Sequence, residues 1–312
     1  MGRLGKLPVA SDLAIALLAL QQTPGTGVKT LNRLLASARE TGLDLPAALG
    51  RNVHPHPFDP RLGELIASCG GDLVSAAREL AGTCRKQEVA VIARGEEGYP
   101  EAFSHYLEDE APPVIFLMGD VSLLQPLAAA VVGTRTPTQH GIALAQKCAD
   151  ILTQENAVVV SGGAQGVDTA AHDETLARYG RTVIVLPEGI LHHTTPSAWA
   201  EAVRNGSALL MSEVHPFQPW RTFAAVARNR LIAALSRMIC VIEPRKTGGS
   251  IATARHGIAQ RKPVFLSPAA ALPSGLRRSV RPIVQSGRVD GAGMAEALHS
   301  PPQEPPRNLM LF

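Results

Sequence analysis

Between residues 128 and 266, short runs of apolar, often β-branched residues recur at a regular beat, each followed by a segment of helical length. The runs are Ala129–Val132, Ala157–Val160, Thr182–Leu186, Ala208–Met211, Met238–Ile242 and Pro263–Leu266. No other feature of the chain constrains its fold as much. A strand with one wet face alternates apolar and polar residues, whereas a strand covered on both faces is apolar along its length. The segments between the runs supply crossover helices. The pattern therefore predicts an α/β fold built on a doubly wound, mostly parallel Rossmann-like sheet.

The flanks read differently. Residues 11–49 predict a small helical unit: Asp12–Gln21 has helix-forming composition, Thr23-Pro24-Gly25-Thr26-Gly27 breaks it, and Val28–Arg39 resumes with Val28, Leu31, Leu34 and Leu35 spaced for one face. Two helices joined by a Gly-x-Gly turn are similar to a helix-hairpin-helix, whose turn amides meet a DNA phosphate; the alternative is an ordinary helical corner. The stretch 51–60 is loop-like, and its His54 and His56 have no third metal ligand nearby. Arg61–Lys86 is helical and leads into the apolar Val89–Ile92. Beyond Ala269 the beat is lost, and the chain ends in a proline-rich linker followed by Leu309-Met310-Leu311-Phe312. With 312 residues, roughly two domains are expected. The boundaries read as 1–90 for the helical domain, 91–270 for the sheet core and 271–312 for a short extension.

Charge and cysteines narrow the function. A net charge of +3 with 18% charged residues is a mild basic bias, so a nucleic-acid site must be a local patch. Cys69, Cys84, Cys148 and Cys240 are scattered, which predicts buried reduced thiols and no zinc site. The apolar stretch from Asp12 to Leu20 contains an acid and lacks a small-residue cleavage site, so it reads as a helix and not as a signal peptide. No run reaches membrane-spanning length. These features predict a cytoplasmic protein with no membrane partner, no metal and no cofactor.

In an open parallel sheet, ligands sit beyond the carboxyl ends of the strands. Gly133-Thr134-Arg135 follows the first run. The second is followed by Ser161-Gly162-Gly163-Ala164-Gln165-Gly166-Val167-Asp168, and the fifth by Glu243-Pro244-Arg245-Lys246-Thr247-Gly248-Gly249-Ser250. Each is a Gly- or hydroxyl-rich turn opening onto a helix N-terminus, where free amides and the helix dipole favour an anion. Three such turns on one sheet edge predict a multi-phosphate cradle. Cations support it: Arg135 and Lys246 lie in the turns, and Arg228-Asn229-Arg230 opens an otherwise apolar helix. No Gly-Lys-Ser/Thr ending follows the first strand, so this is not a P-loop.

The segment from Tyr99 to Pro268 resembles the DprA/Smf family nearly end to end. The resemblance rests on Tyr99-Pro100, Pro112-Pro113, Gly119, VVGTRTPTQHG, SGGAQGVDTAAH, GRTVIVLPEG and Ser212-Glu213. It continues through Arg228-Asn229-Arg230-Leu231-Ile232-Ala233-Ala234-Leu235-Ser236, Gly248-Gly249-Ser250-Ile251-Ala252-Thr253-Ala254 and Pro263–Pro268. The helical prefix (SAM- or helix-hairpin-helix-like) also resembles the family's. What the resemblance implies is binding of single-stranded DNA in the cradle, self-association as a homodimer or higher oligomer, and delivery of the strand to a RecA-type recombinase, as in natural transformation. By position, it assigns Arg135, the Ser161–Asp168 turn, Arg228, Arg230 and the Gly248–Thr253 turn to DNA. His172 is the family's histidine after the second turn, with a helix-capping or packing role as its alternative.

The chain departs from the family in places. Gln165 stands where an arginine is common and Gly163 where a bulkier apolar residue is common, which implies one charged contact fewer. The winged-helix domain of many relatives is not expected in so short a tail. DprA-like paralogues also occur in anti-phage and toxin–antitoxin modules, a second setting for a trimmed copy. The rival enzyme class is the phosphoribohydrolases, which carry a glutamate after a similar fifth turn; here Ala254 and Arg255 follow, so no catalytic residue is assigned. A nucleotide sensor is a third reading. Finally, Asn308–Phe312 resembles the short peptides that bind the bacterial sliding clamp, with packing against the chain itself as the alternative.

Overall fold

A computed structural model describes residues 9–51, 60–124, 127–268 and 279–301. The chain divides into two compact units, residues 5–117 and 118–312.

The first unit is mainly helical, with α1 (Asp12–Gln21), α2 (Val28–Thr41), α3 (Leu45–Ala48), α4 (Pro60–Ser68), α5 (Gly71–Lys86) and α6 (Glu101–Leu107). Ser11 caps α1 by accepting a hydrogen bond from the Ala14 amide at 2.9 Å. All residues from Ala14 to Leu20 are buried, so this helix has no polar face because it is enclosed on every side. α2 buries Leu31, Leu34, Leu35 and Ala38 and stops at Gly42 in the left-handed conformation. The single helix expected over 61–86 is two helices, because Gly70 leaves the helical conformation as the N-cap of α5. Strand β1 (Ala90–Ala93) pairs antiparallel with β2 (Val114–Gly119), Ala90 facing Leu117. The sequence reading had no strand at 114–119.

The second unit holds the expected parallel sheet. Its strands are β3 (Ala128–Gly133), β4 (Val158–Ser161), β5 (Arg181–Val185), β6 (Ala208–Ser212), β7 (Met238–Ile242), β8 (Val264–Leu266) and β9 (Arg281–Pro282), in the spatial order β6-β5-β4-β3-β7-β8-β9. Every pairing from β6 to β9 is parallel. The connecting helices are α7 (Gln139–Gln154), α8 (Val167–Ala177), α9 (Ser197–Asn205), α10 (Thr222–Ala227), α11 (Asn229–Leu235) and α12 (Gly249–Ala259). Val131, Val159, Cys240 and Ile242 point into a core shared with Leu144, Cys148 and Leu152 of α7. All four cysteines are buried and free. The chain runs outward from β3 to β6, then returns to lay β7 on the other side of β3. The switch point therefore falls between β3 and β7, where a crevice opens beyond the strand ends.

Residues 279–301 are not the beatless extension read from sequence. After β9 they form the β10 (Val284–Gln285) and β11 (Arg288–Val289) hairpin and α13 (Gly291–His299). Ile283, Met294, Ala297 and Leu298 join the sheet core. Among the described residues no helix is long and apolar enough to cross a membrane. His54, His56 and the Leu309–Phe312 peptide lie outside the described residues.

Candidate nucleic-acid interface

The turns after β3, β4 and β7 meet around the switch point. A Cβ on Gly133 would lie 2.3 Å from the Ile242 carbonyl and 2.6 Å from the Val167 side chain, so strand β7 and helix α8 close directly on it. Thr134 is buried; its amide donates to the Ile242 carbonyl at 3.2 Å, and its own carbonyl accepts from the Val167 amide at 3.2 Å. Gly166 has φ +96°, and a Cβ there would stand 2.6 Å from the Thr134 carbonyl oxygen. Glycine is thus what allows the β3 and β4 turns to lie against each other. Arg135 emerges from this junction into solvent, its guanidinium 5.7 Å from the Trp220 ring centre.

The β4 turn is held from within. Asp168 accepts from the amides of Gly162 at 3.1 Å and Ala164 at 3.4 Å, and Ser161 donates to the Val131 carbonyl at 2.6 Å. Both side chains are buried, so they shape the turn while Gly163, Ala164 and the exposed Gln165 line its outer surface. Burial raises the Asp168 pKa, against the pull of Arg228 and of the turn amides. His172 is fully enclosed. Its Nδ1 meets the Thr182 hydroxyl at 2.7 Å, its ring packs edge-on against Trp199, and burial drives its pKa down to about 3. The structure thus places it in the packing between α8, β5 and α9.

Arg228, Asn229 and Arg230 are far less exposed than a cationic helix face. Arg228 is 5% exposed, donates to the Val185 carbonyl and lies flat against Gly162, where a Cβ would meet its guanidinium at 2.2–2.6 Å. Burial lowers its pKa to about 10, with Asp168 the largest opposing influence. Arg230 forks onto Glu213 through two hydrogen bonds of 2.6 Å. Lys262, itself buried, donates to the carbonyls of Ala233 and Ala234 at 2.7 and 2.8 Å and so caps the end of α11.

The β7 turn completes the cradle. Arg245, Lys246, Thr247 and Gly248 are exposed, and Gly248, at φ +135°, is an N-cap with no side-chain hydrogen bond to α12. The α12 amides at Gly249 and Ser250 therefore face outward, whereas Thr253 is buried and donates to the Gly249 carbonyl. A Cβ on Gly249 would lie 3.1 Å from Asn229 Nδ2. That Nδ2 and Arg228 Nε are enclosed and have no hydrogen-bond partner among the described residues. The Asn229 donor stands beside a free helix N-terminus, a setting that favours an anion, while Arg228 lies against the β4 turn.

The three carboxylates at strand ends are committed elsewhere. Glu188 pairs with His193 Nδ1, Glu213 with Arg230, and Glu243 accepts from both the amide and the hydroxyl of Thr138 at the start of α7. Trp220 escaped the sequence reading; its only signal was an isolated tryptophan between proline and arginine in 215–221.

Residues 90–283 match the family model described as DNA recombination-mediator protein A. The chain is 32% identical over 179 residues to the DNA processing protein DprA of Streptococcus pneumoniae, covering 57% of this chain and 63% of that one. It is 28% identical over 187 residues to the DNA processing protein DprA of Bacillus subtilis, covering 59% and 62%. The match thus spans less than two thirds of the length of either relative. The X-ray structure of DNA processing protein A from Streptococcus pneumoniae superposes with a TM-score of 0.64 over 94% of this chain and 95% of that one, at 23% identity.

Proposed function

Because the chain belongs to the DNA recombination-mediator protein A family, we propose that it holds single-stranded DNA by its phosphates at the β3/β7 switch point and performs no chemistry on the strand. The observation that carries this reading is the enclosed, unpartnered donor Asn229 Nδ2 set beside the uncapped start of α12, with the buried Arg228 against the β4 turn. A phosphate beside Asn229 would meet the α12 amides and the helix dipole, with Arg228 adding positive charge from the neighbouring turn. The exposed Arg135, Arg245 and Lys246 extend the site over more than one phosphate, as a polymer requires. Self-association and handover of the bound strand to a RecA-type recombinase belong to the same proposal. So does its setting in DNA processing during transformation.

The committed carboxylates speak against a phosphoribohydrolase. A general base needs to reach the reacting sugar, and Glu188, Glu213 and Glu243 each serve another group. The test is a binding titration at two salt concentrations with oligothymidylates of increasing length and with thymidine monophosphate. Affinity that rises with length and falls steeply with salt is expected. Saturation by the mononucleotide at low concentration, with no gain from length, would overturn the reading in favour of a nucleotide sensor.

A further inference from the structure

Four of the seven large apolar side chains exposed among the described residues fall within ten positions: Phe217, Trp220, Phe223 and Val226. Exposed apolar side chains scattered singly need no explanation, but a cluster does. This one is held in place by its backbone. The amides of Gly189 and Leu191 donate to the carbonyls of Gln218 and Pro216 at 2.8 and 2.9 Å, tying the segment to the loop after β5. Phe223 and Val226 lie three residues apart on α10, 66% and 51% exposed. The same helix runs directly into Arg228, and Trp220, 45% exposed, carries Arg135 above its ring. The apolar segment is therefore continuous with the phosphate cradle through two of its arginines.

We propose that Trp220 and Phe223 form a stacking platform for the nucleobases of the strand whose phosphates lie in the cradle. The proposal rests on the single-strand reading above and adds what that reading lacks, a place for the bases. Single-strand sites combine a cationic track with aromatic faces, and every base has a π-face, so such a platform binds without regard to sequence. The cationic neighbours favour a nucleic acid over an apolar protein groove: Arg135, Arg221 and Arg245 are all exposed close by in the chain or in the site. Only 4% of the residues are aromatic, so what matters is where those few rings are placed.

The test compares an oligothymidylate with an abasic strand of equal length, which keeps the phosphates and lacks the bases. Trp220→Ala and Phe223→Ala are each expected to weaken oligothymidylate binding about tenfold while leaving the abasic strand and the salt slope unchanged. Phe223→Tyr should retain binding, and Tyr179→Ala, at an exposed ring in the turn beyond α8, should change nothing. Tryptophan emission should be quenched by the oligothymidylate and not by the abasic strand, since the other tryptophan, Trp199, is buried. Equal wild-type affinity for the two strands overturns the platform while leaving the cradle intact. Equal loss on both strands in Trp220→Ala also overturns it, assigning Trp220 to holding Arg135. Loss of self-association with unchanged strand binding would make the patch a protein interface and overturn it as well. Failure of both strands to bind in a salt-dependent way would instead sink the single-strand reading itself.

Discussion

Arg135 reaches solvent and Arg230 is enclosed against Glu213, so equal charges should give different phenotypes when removed. Arg135→Ala is expected to weaken single-strand binding and flatten its salt slope by about 0.7, with the melting temperature unchanged. Arg230→Ala leaves a buried carboxylate without its partner, a loss of about 3–5 kcal/mol. Its weaker binding should therefore come with a lower melting temperature, and Glu213→Gln in the same chain should restore part of it. An Arg230→Ala protein that melts like wild type would show that the pair does not hold the fold. The burial of this arginine of α11 was not legible in sequence, because Glu213 lies 17 positions upstream, just after β6, and no local pattern couples the two. Asp168 was assigned to DNA only as the last residue of its turn, and the amides of that turn to which it is bonded are equally invisible to a local pattern. His172 adds a pH dependence. Its pKa is near 6.5 when unfolded and about 3 when folded, so its contribution is complete above pH 6.5 and is lost as pH falls toward 3. Urea midpoints at pH 7 and pH 4.5 should drop further for wild type than for His172→Gln; parallel drops would remove His172 as a source of acid sensitivity.

At the scale of elements, the two turns that cross beneath Arg135 are expected to be the least tolerant part of the site. Gly166→Ala forces a side chain into a left-handed backbone and against the Thr134 carbonyl, for a combined loss of about 3 kcal/mol. Gly206→Ala, in the same unit at φ +83° but with only ordinary contacts to Asp120, should lose about 1 kcal/mol. Chemical denaturation of the two variants checks the difference, and equal losses would mean the crossing of the turns is not tight. The strands that make this site were legible because a doubly covered strand must be apolar throughout, which leaves a signal in four or five consecutive residues. β3 through β8 each lie within about one residue of the run that predicted them. β2 was missed although Val114-Ile115-Phe116-Leu117 is equally apolar, because it stands outside the helix–strand beat. β9, β10 and β11 are two residues each and have no room for a periodicity. α13 buries only Met294, Ala297 and Leu298, a stripe too short to stand out in a proline- and glycine-rich tail.

The whole molecule carries a net charge of only +3, so attraction to DNA cannot come from a general basic surface. Under the proposed function it comes from the cradle, where the exposed cations after β3 and β7 are Arg135, Arg245 and Lys246. If each neutralises one phosphate of a flexible strand, at about 0.7 per contact, the logarithm of the affinity should fall with the logarithm of salt at a slope of about −2. Arg228, already buried and partly satisfied by Val185, should contribute position more than counterion release. Under the proposed function the same geometry predicts a preference for single strands. The three turns and the α12 N-terminus converge on one strand-edge crevice, which accepts a thin backbone that can bend between turns. A duplex presents its phosphates on a stiff cylinder and hides the faces of its bases, so it can meet the outer arginines but neither the enclosed donors at Asn229 nor the exposed rings beside them. A blunt duplex is therefore expected to bind at least about tenfold more weakly than an oligothymidylate of equal length at the same salt. The measurement is a competition titration. Equal affinities would mean that the exposed cations alone hold the DNA and that the crevice takes no part, while a salt slope steeper than about −6 would place the binding surface well beyond the three turns.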